Sequence, residues 1–150
     1  MNIIVCKTKE DIAELVSNKV LELVKNKPNC ILGLATGSTP IETYKEIIAK
    51  GKNIDFSNVK TFNLDEYCNN KDITQSYRYF MDHNLFYGIN IKKENTHCPN
   101  ESNPSQYDKD IISNGGIDLQ ILGIGANGHI GFNEPNTPVD SITHITKLTD

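Results

Sequence analysis

Asp65, His129 and Glu134 are the residues of this sequence best suited to move a proton near neutral pH. Asp65 follows a predicted strand over residues 59–64, and a carboxylate at the end of a buried strand is a candidate general base. His129 and Glu134 lie on one glycine-rich stretch, where the carboxylate can face the imidazole, fix its tautomer and raise its basicity. Each has an ordinary alternative, because strands often end in a capping Asp and a histidine beside Asn-Glu-Pro can belong to a surface turn. The spacing alone leaves both interpretations open.

A second kind of chemistry is indicated by Thr36, Gly37, Ser38 and Thr39, which precede a predicted helix. Backbone N–H groups at a helix N-terminus, hydroxyl groups and a glycine that permits close approach together form an anion site. No Gly-Lys-Ser/Thr follows, so the stretch is not a Walker A loop. An ordinary capped turn between a strand and a helix fits the same residues equally well.

Other chemistries fit the motifs less well. Residues 123–128 match the pattern G-x-G-x-x-G, but Gly131, Pro135 and Pro138 follow where a dinucleotide site needs a helix. No third ligand stands at zinc-binding distance from His129 along the chain, so we predict no metal site. A Ser-His-acid triad would need a nucleophile elbow, which the sequence lacks.

The composition is that of an ordinary globular protein. The chain has 150 residues, with 15 Lys and Arg against 19 Asp and Glu, for a net charge of −4. This length fits a single domain over residues 1–150, and the mild acidity argues against a nucleic-acid partner. No apolar run approaches the ~20 residues of a membrane span, and four widely spaced cysteines indicate reduced thiols, so we expect a cytoplasmic protein. The sequence stops as a new polar and apolar alternation begins, and we expect it to be the N-terminal part of a longer catalytic domain.

The elements that must position these residues follow from apolar periodicity. Strands are predicted at residues 2–6, 30–35, 59–64 and 117–124. Helices are predicted after a capping box at Thr8 and Asp11, over residues 40–50 with Thr39 and Glu42 as a second capping box, over 76–84, and up to residues 115–116. Strands that alternate with helices predict an α/β fold, a doubly wound and mostly parallel sheet with helices on both faces. Three reactive stretches, residues 36–39, 65–67 and 125–134, each follow a predicted strand. In such a sheet they would share the edge formed by the carboxyl ends of the strands, where ligands bind.

Three stretches together resemble a known family. The sequence reads LGLATGSTP at residues 32–40, TFNLDEY at 61–67 and GIGANGHIGFNEP at 123–135. In this order and spacing they resemble the glucosamine-6-phosphate deaminase (glucosamine-6-phosphate isomerase) family, and the last stretch is the most diagnostic. The wider superfamily includes 6-phosphogluconolactonase, which shares the fold and the early phosphate loop, and the second and third stretches favour the deaminase.

The resemblance implies that glucosamine 6-phosphate and water give fructose 6-phosphate and ammonia, with a sugar phosphate as the partner and no cofactor. His129 would open the pyranose ring, with Asn127 and Glu134 orienting and tuning it. Asp65 would remove the C2 proton and deliver it to C1. The phosphate would lie on the backbone of residues 36–39, and the resemblance also favours a homo-oligomer.

Two departures from the family bear on this expectation. Some family members carry Asp where this chain has Asn127, which can only form hydrogen bonds and orient His129. The family's basic phosphate ligands lie further along the chain than Asp150, so we expect the 150 residues alone to bind sugar phosphate weakly. Two alternatives to the deaminase are a 6-phosphogluconolactonase-like hydrolase and a non-catalytic sugar-phosphate sensor, although a sensor has no need of Asp65, His129 and Glu134 together.

Overall fold

The computed structural model of the protein describes residues 1–69 and 71–148. Within them, a four-stranded parallel sheet in the order β3-β2-β1-β4 is flanked by α-helices. The strands are β1 (Ile31–Leu34), β2 (Lys60–Asn63), β3 (Thr96–His97) and β4 (Leu119–Gln120). The α-helices are α1 (Lys9–Asn26), α2 (Ile41–Lys50), α3 (Tyr77–Asn84) and α4 (Pro104–Ser113). The α/β fold predicted from the alternation of elements is confirmed.

Local sequence signals explain where most of these helices begin. Thr8 and Asp11 form a complete capping box at the start of α1, each side chain accepting a backbone N–H of the other, as predicted. Ser76 caps α3 by accepting the N–H of Tyr79. The capping box predicted for α2 is wrong: Pro40 occupies the N-cap position, and no side chain caps that helix.

The core lies on both faces of the sheet, which is what a doubly wound arrangement requires. On one face, Leu32 and Leu34 pack against α1, α2 and α3. On the other, Ile31 and Phe62 pack against Tyr107 of α4. Successive residues of β1 therefore point into different layers, and the whole strand is buried.

The strand order reverses beside β1. The chain forms β1, then β2 and β3 to one side of it, and then crosses to add β4 on the other side. Because all pairs are parallel, the carboxyl ends of β1, β2 and β4 meet at one edge. Residues 36–39, Asp65 and the stretch 125–134 follow those ends, as the sequence predicted.

Two strand predictions need correction. Residues 2–6 form no strand, and Ile3, Ile4 and Val5 are 76%, 60% and 90% exposed, because no strand of the described chain lies beside them to accept their backbone hydrogen bonds. The strand predicted at 117–124 is reduced to β4, because the chain pairs with β1 only at Leu32 and Gly33. Strand β3 was missed, since two residues are too few to show an alternation.

Of the helices in the part of the chain that is described, none has the length and apolar character needed to cross a membrane.

Candidate active site

The stretches that follow β2 and β4 are in contact at the carboxyl edge of the sheet. The stretch that follows β1 begins at Thr36, whose side chain lies beside Tyr77 at the start of α3. A Cβ atom at Gly131 would lie 3.3 Å from Oδ2 of Asp65, so the stretch after β4 passes directly beside the carboxylate that follows β2. Gly131 has a φ of +58°, a conformation that suits a glycine. The structure thus brings Asp65 and the loop of His129 together.

His129 is held by a polar network within its own loop. Its Nδ1 lies 2.6 Å from Oδ1 of Asn127 and 3.9 Å from Oε1 of Glu134. The amide nitrogen of Asn127 donates to Oε2 of Glu134 at 3.0 Å, so its oxygen is the atom that accepts from His129. In a neutral imidazole the proton then lies on Nδ1 and leaves Nε2 free to accept another. Asn127, His129 and Glu134 therefore form a unit suited to proton transfer.

Gly125 provides the space for this ring. A Cβ atom built on it would lie 2.2 Å from Cε1 of His129 and 2.5 Å from Nε2, so no larger residue fits while the imidazole stays in place. The loop is closed by hydrogen bonds from the N–H of Gly125 to the carbonyl of His129 and from Gly128 to Gly125. Residues 123–135, which carry His129, are called the histidine loop below. The glycines of the G-x-G-x-x-G match thus shape this loop, in which the chain forms no helix.

Asp65 has the environment of a general base. It is half-buried, and burial, followed by the charge of Glu66, raises the pKa of its carboxyl group to about 6. Such a carboxylate is ionised at neutral pH but accepts a proton more readily than an ordinary Asp. This is the property that removal of a weakly acidic C–H proton requires.

Glu66 has a structural role. Its carboxylate accepts the backbone N–H groups of Tyr77 and Arg78, both at 2.8 Å, and so caps α3 from outside the helix. A third bond comes from the N–H of Tyr67. Glu66 therefore joins the segment that carries Asp65 to the N-terminus of α3.

Residues 36–39 are fixed at their start by a buried hydrogen bond and are exposed to solvent over most of their length. The buried Tyr44 donates its hydroxyl to the carbonyl of Ala35 at 2.5 Å, which fixes the chain at the point where the stretch begins. Because no side chain caps α2, its first N–H groups remain available to a ligand. Ser38 and Thr39 are exposed, so their hydroxyls can be reached as well.

A cleft of about 1020 Å³ adjoins Asp65. It runs between α3, α4 and the stretch 141–148, and its walls include Phe132 and Asn133 from the histidine loop. Among the predicted site residues only Asp65 lines it; Asn127, His129, Glu134 and residues 36–39 lie outside its walls. The cleft therefore adjoins the candidate site only at Asp65.

An aromatic cluster at the site was not predicted from the sequence. The ring centroids of Tyr67 and Tyr77 are 4.8 Å apart, and Phe132 lies 5.1 Å from Tyr67 and 5.6 Å from Tyr77. These residues come from three separate segments: Tyr67 lies near Asp65, Tyr77 follows the N-cap of α3, and Phe132 belongs to the histidine loop. Only these positions could have suggested a common role from the sequence.

No group of three His, Cys, Asp or Glu side chains in residues 1–69 and 71–148 is arranged to hold a metal ion.

Comparison with known proteins gives one family over most of the chain. The family described as glucosamine-6-phosphate isomerases/6-phosphogluconolactonase matches residues 7–138. A glucosamine-6-phosphate deaminase of Thermoanaerobacter sp. (strain X514) is 51% identical over 100% of this chain and 63% of its own length. A glucosamine-6-phosphate deaminase of Mycoplasma mycoides subsp. mycoides SC is also 51% identical, over 100% of this chain and 64% of its own length.

Solved structures agree with this comparison. A monomeric glucosamine-6-phosphate deaminase superposes with a TM-score of 0.95 at 38% identity, covering 100% of this chain and 66% of that one. A 6-phosphogluconolactonase of Thermotoga maritima has a TM-score of 0.71 at 24% identity, covering 88% of this chain and 63% of that one, a likeness of fold alone. The chain spans slightly less than two thirds of the length of these relatives.

Proposed function

The chain belongs to the family of glucosamine-6-phosphate isomerases and 6-phosphogluconolactonases, and we propose that the complete protein is a glucosamine-6-phosphate deaminase. It converts glucosamine 6-phosphate and water to fructose 6-phosphate and ammonia. The observation that carries the proposal is the approach of the histidine loop to Asp65, where a Cβ at Gly131 would lie 3.3 Å from the carboxylate. A proton-transfer unit and a half-buried carboxylate then face one substrate.

His129 opens the sugar ring in the first step. Nε2 takes the proton of the C1 hydroxyl and a proton is returned to the ring oxygen, which breaks the bond between C1 and that oxygen and yields the open-chain aldehyde. Asn127 supports this role through its 2.6 Å contact with Nδ1, because it keeps the proton on that nitrogen and leaves Nε2 as the acceptor. Glu134 holds Asn127 in turn through a 3.0 Å hydrogen bond.

Asp65 moves a proton between two carbons in the second step. Its carboxylate removes the proton from C2, and the electron pair of that bond forms a C1–C2 double bond. The π pair of the C1 carbonyl moves to O1, which takes up a proton from the C2 ammonium group, and the intermediate is an enolamine. Return of the proton to C1 gives an imine at C2. The raised pKa of Asp65, about 6, supports both halves of this step, since the same group must accept the proton and then release it.

Water completes the reaction at C2. Addition of water to the imine carbon and departure of ammonia leave the ketone of fructose 6-phosphate. No electrons are gained or lost over the whole sequence, and neither a metal nor an organic cofactor is needed. The phosphate of the substrate is bound by the N–H groups and hydroxyls of residues 36–39 at the uncapped start of α2.

The test is a product assay on the complete protein. We expect ammonium and fructose 6-phosphate to appear from glucosamine 6-phosphate in equal amounts. A protein that releases no ammonium but hydrolyses 6-phosphogluconolactone would be a lactonase, and one that binds sugar phosphates without turnover would be a sensor. Either result contradicts the proposal.

Two further properties stay predictions. The resemblance to the family favours a homo-oligomer, while one solved deaminase is described as monomeric. Light scattering on the complete protein distinguishes the two states. A cytoplasmic location is the expectation from composition, and fractionation of the source cells measures it.

A further inference from the structure

Tyr77 occupies the point where the three loops of the site meet. It is the first residue of α3, and its ring packs against Tyr67 from the segment after β2 and against Phe132 from the histidine loop, at 4.8 and 5.6 Å between centroids. Tyr67 and Phe132 also contact each other, so the three rings form one closed cluster. Moving any of the three segments would break a contact with Tyr77 or with its neighbours.

The hydroxyl of Tyr77 extends this connection to the anion-binding stretch. It lies beside the side chain of Thr36, and it donates to the hydroxyl of Tyr67 at 3.4 Å. Burial raises the pKa of Tyr77, so the hydroxyl stays protonated at neutral pH and remains a donor. Phe132 has no such group, and the cluster therefore reaches Thr36 through the Tyr77 hydroxyl.

We infer that Tyr77 is a positioning residue of the site: its hydroxyl holds the stretch that binds the phosphate, and its ring holds the segments of Asp65 and His129 together. The inference rests on the proposed function, because it assigns Tyr77 a part in binding and in proton transfer by other groups. The two parts of one side chain then have separable effects. The hydroxyl acts on substrate affinity, and the ring acts on the chemical step.

Tyr77→Phe removes the hydroxyl and keeps the ring. We expect KM for glucosamine 6-phosphate to rise about five-fold, the effect of one neutral hydrogen bond, with kcat within about two-fold of the wild type. Tyr77→Leu removes the ring as well. We expect kcat to fall at least about ten-fold, because the cluster no longer holds Asp65 and the histidine loop in place.

The pH profile distinguishes positioning from a general loss of stability. In Tyr77→Leu, water reaches Asp65, the desolvation that raises its pKa is reduced, and the acid limb of kcat/KM shifts to lower pH by about one unit. A protein that was only partly unfolded would have a lower kcat/KM at every pH, without any shift of the acid limb. Tyr77→Phe keeps the ring and is expected to keep the wild-type profile.

Tyr79 provides the matched control on the same helix. It stacks on His83 at 3.8 Å and belongs to neither the cluster nor the site. Tyr79→Phe and Tyr79→Leu are expected to leave kcat, KM and the pH profile unchanged, so an effect confined to Tyr77 cannot come from loss of any tyrosine on α3.

The outcomes separate this inference from the function it rests on. A wild-type protein that releases no ammonium overturns the proposed function and the role of Tyr77 with it. An active wild type in which Tyr77→Phe has an unchanged KM overturns the role of Tyr77 alone, whether or not Tyr77→Leu folds. An active wild type with a raised KM in Tyr77→Phe, and the same values in Tyr79→Phe, supports it.

Discussion

The raised pKa of Asp65 lowers the stability of the fold at neutral pH. Its carboxyl pKa is raised from 3.8 to about 6 in the folded protein, chiefly by burial. A raised carboxyl pKa means that the folded state binds its proton more tightly than the unfolded state does. Folding stability therefore falls as pH rises from about 4 to about 6, and the cost is complete at neutral pH.

Asp65→Asn is expected to stabilise the fold while abolishing turnover. At pH 7 the amide avoids the cost of burying a charge, so the free energy of unfolding should rise by about 1–3 kcal/mol. At pH 4 the wild-type carboxyl is largely protonated, and the difference should shrink towards zero. Urea unfolding at both pH values measures this, and a variant less stable than the wild type at pH 7 would show that the carboxylate is not desolvated.

Gly125 is expected to matter because of the ring beside it. A methyl group there would overlap the imidazole, with 2.2 Å to Cε1, so Gly125→Ala should move His129 away from Asn127 and Glu134. We expect kcat to fall at least about ten-fold, with the phosphate contribution to binding kept.

Gly123→Ala is the control, because no atom lies within 4 Å of a Cβ built at that position of the same loop. It should behave as the wild type. Equal activity of the two variants would show that the position of His129 is not critical.

Among the elements, α3 depends on a carboxylate from another segment. Glu66 accepts two backbone N–H groups from the first turn of α3. Glu66→Gln keeps the shape of the side chain but directs its amide N–H at one of these donors. We expect a loss of about 1–2 kcal/mol in unfolding free energy. Removing the charge of Glu66 also lowers the pKa of Asp65, and the acid limb of kcat/KM should shift to lower pH.

Glu42→Gln serves for comparison. Its carboxylate lies in the first turn of α2 and pairs with Lys45 at the surface, at 2.7 Å. Such a pair contributes little, so a change below about 0.5 kcal/mol is expected in thermal or urea unfolding. A similar small change in Glu66→Gln would contradict the capping role.

Long elements with a buried face were predictable from the sequence, and short or unpaired ones were not. The capping box of α1 and the apolar run of β1 contain their signals within a few residues. Strands β3 and β4 contain two residues each, and both depend on a neighbouring strand elsewhere in the chain. Residues 2–6 show the reverse case, an apolar run without a partner strand in the described part.

The same distinction applies to the site. Asp65, His129 and Glu134 could be named as candidates because they follow predicted buried strands, but only the family resemblance favoured them over a capping Asp and a surface turn, and it added Asn127. The aromatic cluster could not, because Tyr67, Tyr77 and Phe132 carry no distinctive chemistry of their own. Their role depends on three loops that meet only in the folded chain.

On the scale of the whole molecule, the parallel sheet explains why distant residues work together. The reversal of strand order beside β1 brings an anion-binding stretch, a carboxylate and a histidine loop to one edge, although almost 100 residues separate Thr36 from Glu134. In the proposed reaction these three parts act on one sugar molecule.

Solvent deuterium tests this reaction most directly. With glucosamine 6-phosphate in D2O, the complete protein should form fructose 6-phosphate that carries deuterium at C1 in those turnovers in which the Asp65 carboxyl exchanges its proton with solvent before returning it, as seen by NMR. Asp65→Asn should still bind the substrate, yet exchange no proton at C2 and release no ammonium. Exchange of the C2 proton at the wild-type rate in Asp65→Asn would contradict the account, because some other group would then be the base.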